Sequence, residues 1–167
     1  GEVDTPVVLV MWTDYGCHFC KVFLDETLPG LQQYVDDGYL RIEAREFPIF
    51  GDPSVQTASA AIAAGRQDAY WEYHNWLFAN QATFQDGGVT ASWLESGASE
   101  LGLDLEQFRT DMADPTIYDQ LNTEGQQALM TGATGTPAFL INGIAIGGAQ
   151  PLAAFEDVIA FAYEQAT

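Results

Sequence analysis

Cys17-His18-Phe19-Cys20 constrains this chain more than any other stretch, because its two cysteines are the only ones in 167 residues. Neither sulfur has another partner in the chain, so a disulfide between them closes only a short loop. The motif sits at a change of period. Before it, Val7 to Trp12 is a continuous valine-rich apolar run, as expected of a strand buried on both faces. After it, Phe19, Phe23, Leu24, Leu28 and Leu31 recur at helical spacing. Thr13-Asp14-Tyr15-Gly16 forms the turn between the two. Pro29-Gly30 predicts a kink in the helix, and Asp36-Asp37-Gly38 closes it.

The rest of the chain falls into a simple order. From Tyr39 to Glu46, Leu40, Ile42 and Ala44 alternate with Arg41, Glu43 and Arg45, the pattern of a half-buried strand. Strand, helix and strand within about 40 residues make a βαβ unit with a right-handed crossover. Residues 51–132 read as about five short helices. Ser54, Asp68, Thr90 and Asp104 are candidate N-caps, and Asp114-Pro115 is a cap followed by proline at the first helical position. Ala138 to Ile141 and Ile144 to Ile146 flank Asn142-Gly143, a strong hairpin signal. Pro151 opens a last amphipathic helix carrying Leu152, Phe155, Val158, Ile159 and Phe161. The length suits one domain of ordinary size.

Composition excludes several classes. No run of about 18 apolar residues is present to span a membrane. With 24 acidic against 5 basic residues the formal net charge is −19, which makes nucleic acid and anionic membranes poor partners. The acidic surface serves solubility or salt adaptation, and it would also attract cationic unfolded chains. The chain begins at Gly1 without an initiator methionine, so a processed form is expected, with any leader or anchor lying upstream.

Cysteines two residues apart at a helix start suit thiol–disulfide exchange. That reaction needs an accessible thiolate and a second thiol to resolve the mixed disulfide. Cys17 falls at the N-cap, where unpaired backbone N–H groups and the helix dipole favour an anion; Cys20 lies about one turn further in. Asp14 and the overall charge should raise the Cys17 pKa, whereas the amides and a protonated His18 should lower it. Zinc would require four ligands, and the only histidines are His18, inside the motif, and His74, which reads as a packing residue. No metal or other cofactor is expected. A structural disulfide closing so short a loop would contribute little. Thr136-Pro137, at the start of a strand, is compatible with an edge position or with a cis peptide.

These residues in this order resemble the DsbA-like thiol:disulfide oxidoreductases of the thioredoxin superfamily. The resemblance extends over nearly the whole chain. It includes Phe47-Pro48-Ile49, Trp71-Glu72-Tyr73-His74 and Pro137-Ala138-Phe139-Leu140-Ile141-Asn142-Gly143. It implies an α/β thioredoxin fold, β-α-β then β-β-α, with a four-stranded mixed sheet ordered second, first, third, fourth. Residues 1–50 and 133–167 would form the thioredoxin-like domain and 51–132 an all-helical insertion. Cys17 would be the exposed nucleophile and Cys20 the buried resolving cysteine. Pro137 would be a cis-proline facing them, with Thr136 offering its backbone to an extended substrate. His18 and Phe19 would tune the redox potential; the family's usual pair is Pro-His. The buried acid that many members place six residues before the first cysteine is here Met11. The implied function is disulfide formation in extracytoplasmic proteins, in the periplasm, cell envelope or secreted space. The partners would be reduced unfolded substrates and a membrane protein that reoxidises the dithiol, and the chain would act as a monomer. A reductase or isomerase of the same fold, and a non-redox peptide-binding or chaperone-like module, are the alternatives.

Overall fold

The computed structural model describes all 167 residues. The elements in chain order are β1 (Val7–Thr13), α1 (His18–Val22), a π-helical turn (Phe23–Thr27), α2 (Leu28–Asp36) and β2 (Leu40–Glu46). Six helices follow: α3 (Asp52–Gly65), α4 (Tyr70–Ala79), α5 (Gln81–Gln85), α6 (Ala91–Glu100), α7 (Leu105–Met112) and α8 (Pro115–Met130). The chain ends with β3 (Ala138–Ile141), β4 (Ile144–Gly147) and α9 (Leu152–Ala166). Two compact units emerge, one of residues 1–13, 17–47 and 126–167, the other of residues 14–16 and 48–125.

The first unit is a four-stranded mixed sheet in the order β2-β1-β3-β4, with β1 parallel to β2 and antiparallel to β3. This is the thioredoxin arrangement. Strand parity assigns its two faces. Val7, Leu9 and Met11 of β1 join Leu40, Ile42 and Ala44 of β2 and Phe139 and Ile141 of β3 on one face. Phe23 and Leu31 from the first helical stretch, and Phe155 and Ile159 from α9, close over that face. Three rings pin the layers together: Phe23 lies 4.4 Å from Phe139 and 5.3 Å from Phe155, and the last two meet edge-on at 4.9 Å. Trp12 and Ala138 pack on the opposite face with Ala128, beside half-buried Val10 and Leu140. The larger core lies on the first face, and Val8 and Val10 of β1 are only partly buried on the other, less cover than the apolar run predicts.

The break in the first helix also differs from expectation. Leu28 N–H donates to the Phe23 carbonyl five residues back, so the irregularity is a π turn rather than a kink at Pro29-Gly30. Pro29, with no N–H to give, sits in the first turn of α2, where none is needed. At the hairpin, Asn142 and Gly143 have φ of 44° and 91°, as a type I′ turn requires. Asn142 also anchors the hairpin to the start of β1: Val8 N–H donates to its Oδ1 at 2.9 Å and its Nδ2 donates to the Pro6 carbonyl at 2.9 Å.

In the helical unit, Thr90 and Asp104 cap α6 and α7 by accepting from Trp93 N–H and Gln107 N–H. Two other expected caps fail. Ser54 lies inside α3, which begins at Asp52, and its hydroxyl donates to Asp14 Oδ1 at 2.8 Å. Asp68 adopts φ 60° and ends the preceding turn, so Ala69 precedes α4. His74 is buried among Tyr15, Trp71 and Phe78, with ring centroids at 5.6, 5.2 and 5.0 Å. Burial pushes its pKa down to about 4, so it packs as a neutral ring.

All five basic side chains are engaged by carboxylates, Arg66 by both Asp111 and Asp114. No helix is long and apolar enough to cross a membrane.

Phe23→Ala should cost about 3–5 kcal/mol in urea unfolding, because it empties the ring cluster that holds helix to sheet. Phe161→Ala, at a site 53% exposed, should change stability little.

Candidate active site

The dithiol sits where β1 hands over to α1. Cys17 has extended backbone, φ −80° and ψ 117°, and caps the helix: its Sγ accepts from Cys20 N–H at 3.4 Å. A side chain at this position faces the free amides of the first turn, which stabilise an anion. The thiol also donates to the Thr136 carbonyl at 3.3 Å. The Thr136 hydroxyl is buried and makes no hydrogen bond while Cys17 is a thiol, which leaves it to donate to the thiolate. The Thr136–Pro137 peptide bond is cis.

These contacts push the Cys17 pKa down to about 6. The largest cause is the hydrogen bond from the Cys20 side chain. Burial opposes it, and the Thr136 side chain and the amides of Cys20 and Phe19 add to the lowering. Hydrogen bonds at the sulfur set this thiol, and the helix-start amides lower it as expected against the opposing charge. Asp14 is itself held by Gly16 N–H, Ile49 N–H and Ser54 Oγ at 2.6 to 2.8 Å.

Accessibility differs from the sequence expectation. Cys17 is only 4% exposed and Cys20 fully buried. The intervening pair carries the exposure instead. Phe19 is 61% exposed, and its ring meets the exposed His18 ring edge-on at 5.6 Å. The fold brings Cys17, Cys20 and Thr136 together, sets His18 and Phe19 at the rim, and puts Pro137 at the entry to β3. No group of three or more histidine, cysteine or acidic side chains is arranged to hold a metal ion.

Thr13 and Glu46 were not among the residues singled out from sequence. They pair across β1 and β2 at the end of the strands nearest the dithiol, and they are 0% and 1% exposed. The signal was present: continuing the alternation Leu40, Ile42, Ala44 one step turns Glu46 toward the core.

The family model described as Thioredoxin matches residues 1–160. The chain belongs to the thioredoxin family, as a DsbA-like thiol:disulfide oxidoreductase. It is 28% identical over 148 residues to the probable disulfide bond formation protein D of Bacillus cereus, covering 86% of this chain and 68% of that protein. It is also 32% identical over 146 residues to Na(+)/H(+) antiporter NhaA 1 of Salinispora arenicola, where the match spans 86% of this chain but only 21% of the antiporter. Among solved structures, oxidised BdbD from Bacillus subtilis superimposes with a TM-score of 0.89. That match is 23% identical and covers 98% of this chain and 91% of the other.

Ultraviolet titration of the reduced protein should show Cys17 ionising near pH 6, against about 8.5 for an ordinary thiol. The folded-state pKa is the lower one. The reduced protein therefore holds the full stabilisation above the unfolded thiol's pKa and loses it as the pH falls through about 6. Denaturation at pH 5 and pH 9 should show this loss, and Cys17→Ala should remove it.

Proposed function

We propose that this chain forms disulfides in reduced, unfolded extracytoplasmic proteins, using Cys17 and Cys20 as its exchange pair. Cys17 at the N-cap of α1, its sulfur accepting from Cys20 N–H at 3.4 Å and donating to the Thr136 carbonyl at 3.3 Å, is the observation that carries this reading. A sulfur stabilised as thiolate is a good leaving group, so the disulfide containing it is readily attacked and the reduced form is favoured.

In this reading a substrate thiolate attacks Cys17 Sγ of the oxidised protein. A bond forms between the two sulfurs, the Cys17–Cys20 bond breaks, and Cys20 leaves. A second substrate thiolate then attacks the substrate sulfur of the mixed disulfide and Cys17 leaves as thiolate. The substrate has lost two electrons and the dithiol has gained them. Thr136 and Pro137 border Cys17 and bind the substrate backbone, while His18 and Phe19 tune the potential and meet the substrate first. The thioredoxin-like segments 1–50 and 133–167 carry the chemistry, and 51–132 is the helical insertion between them in sequence. A membrane redox partner returns the dithiol to the disulfide.

The name of the Bacillus cereus relative, a disulfide bond formation protein, agrees with the oxidising direction. The engagement of every basic side chain leaves no cationic patch for nucleic acid or anionic lipid.

The oxidised protein should accelerate disulfide formation in a reduced, denatured model protein. Cys17→Ser should abolish that activity, and Cys20→Ser should accumulate a mixed disulfide at Cys17 visible by non-reducing electrophoresis. Retained exchange in Cys17→Ser would reject the assignment.

A further inference from the structure

Residues 14–16 belong to the helical unit, although their neighbours in sequence, Thr13 and Cys17, both belong to the sheet unit. Asp14 and Tyr15 are each 1% exposed. Their partners are spread along the helical unit. Asp14 Oδ1 accepts from Gly16 N–H and from the Ser54 hydroxyl, both at 2.8 Å, and Oδ2 accepts from Ile49 N–H at 2.6 Å. The Tyr15 carbonyl accepts from Gln81 Nε2 at 2.8 Å, and the Tyr15 ring lies 5.6 Å from His74 and 4.9 Å from Phe78. Gly16 sits so close to Phe84 that a Cβ there would overlap the ring. Residues of α3, α4 and α5 thus grip all three positions of the turn.

A connecting turn on a protein surface needs none of this, because water satisfies its polar groups. Burying a carboxyl costs free energy, and the three donors to Asp14 offset it only in part, since burial still pushes its pKa up. The turn is therefore held at a cost, and what it holds is the backbone that enters Cys17. That residue must keep an extended backbone at the N-cap instead of joining the helix. Its Sγ must also stay 3.4 Å from Cys20 N and 3.3 Å from the Thr136 carbonyl oxygen. Reacting groups work only when held within about 0.5 Å of their productive geometry. The Gly16–Cys17 peptide unit is planar and rigid, so a fixed turn limits where the next Cα and its sulfur can go.

We propose that Asp14 is a positioning residue for thiol–disulfide exchange: its carboxyl, together with Gln81 on the Tyr15 carbonyl, anchors the turn and so keeps Cys17 Sγ among its hydrogen-bond partners. This rests on Cys17 and Cys20 acting as the exchange pair. The helical unit thereby acts on the redox balance of the dithiol through the backbone. A carboxylate three residues before a thiol also has an effect of the opposite sign, because a like charge disfavours the thiolate. Substitution separates the two roles. Removing the charge alone would make Cys17 a stronger acid. Releasing the turn withdraws the amides and Thr136 from the sulfur and makes Cys17 a weaker one. Asn is the discriminating replacement. Both Asp14 oxygens accept from an N–H, so the side-chain amide of an Asn must face one of them donor to donor.

The test reads the ionisation of Cys17 by ultraviolet absorbance and the equilibrium of the dithiol with glutathione. Asp14→Asn should move the ionisation up by about half a pH unit or more and shift the equilibrium about threefold or more toward the disulfide. Gln81→Leu carries no charge change and should move both readouts in the same direction; it decides the matter if the Asn variant fails to fold. Phe108→Leu alters the buried core of the same unit away from the turn. It should lower stability and leave both readouts in place. An Asn variant whose Cys17 ionises at the same pH or lower would overturn the proposal, because the carboxyl would then act by its charge or not at all. So would an unmoved Gln81→Leu variant, or a Phe108→Leu variant that moves as far as the other two. If Cys17→Ser is inactive while Asp14→Asn matches the parent, the anchor fails and the exchange pair stands. An active Cys17→Ser variant rejects both.

Discussion

The packing of Phe23 against Phe139 and Phe155 is the contact on which the site depends. It ties the helix that follows the cysteines to the central sheet and to the last helix at once. With that helix fixed, its first turn stops at the end of β1, and Cys17 meets the backbone of Thr136, in the loop before β3 and more than a hundred residues away. The π turn at Phe23 marks the place where the chain gives up regular helix. Side-chain packing and the demand of Pro29 for a helix start are satisfied within the same few residues.

The electrostatic lesson concerns range. A formal net charge of −19 should oppose an anion anywhere on this protein. Yet Cys17 is pushed down to about 6 by donors in contact with it, namely the Cys20 side chain, the Thr136 side chain and two backbone amides. Exposed charges are screened beyond about 8 Å at physiological salt, whereas hydrogen bonds at the sulfur are not. The protein therefore remains strongly acidic outside and anion-stabilising at one point. The balance is reversed at Asp14 in the helical unit, where burial outweighs three hydrogen-bond donors and pushes the pKa up.

Much of this was legible in the residues. The valine run, the alternation after Tyr39 and Asn142-Gly143 each carry a local period or turn requirement, and each became the expected strand or hairpin. Thr90 and Asp104 read correctly because a cap is a contact within three residues. Ser54 and Asp68 did not. The Ser54 hydroxyl is claimed by Asp14, forty residues earlier, and Asp68 is drawn into a left-handed turn by the closing of α3. The near-complete cover over Cys17 was equally out of reach, because solvent exposure is decided by distant segments. Glu46 is the instructive miss: its inward face was written in the strand's period, one step beyond Leu40, Ile42 and Ala44.

The direction of electron flow is the central claim, and the reduction potential of the Cys17–Cys20 couple tests it most directly. Equilibration with glutathione buffers at pH 7, read by tryptophan fluorescence, gives the value. A low-pKa Cys17 stabilises the dithiol form, so the account predicts a potential above about −200 mV, in the oxidising range. A value near about −270 mV, typical of thioredoxin as a reductant, would contradict it.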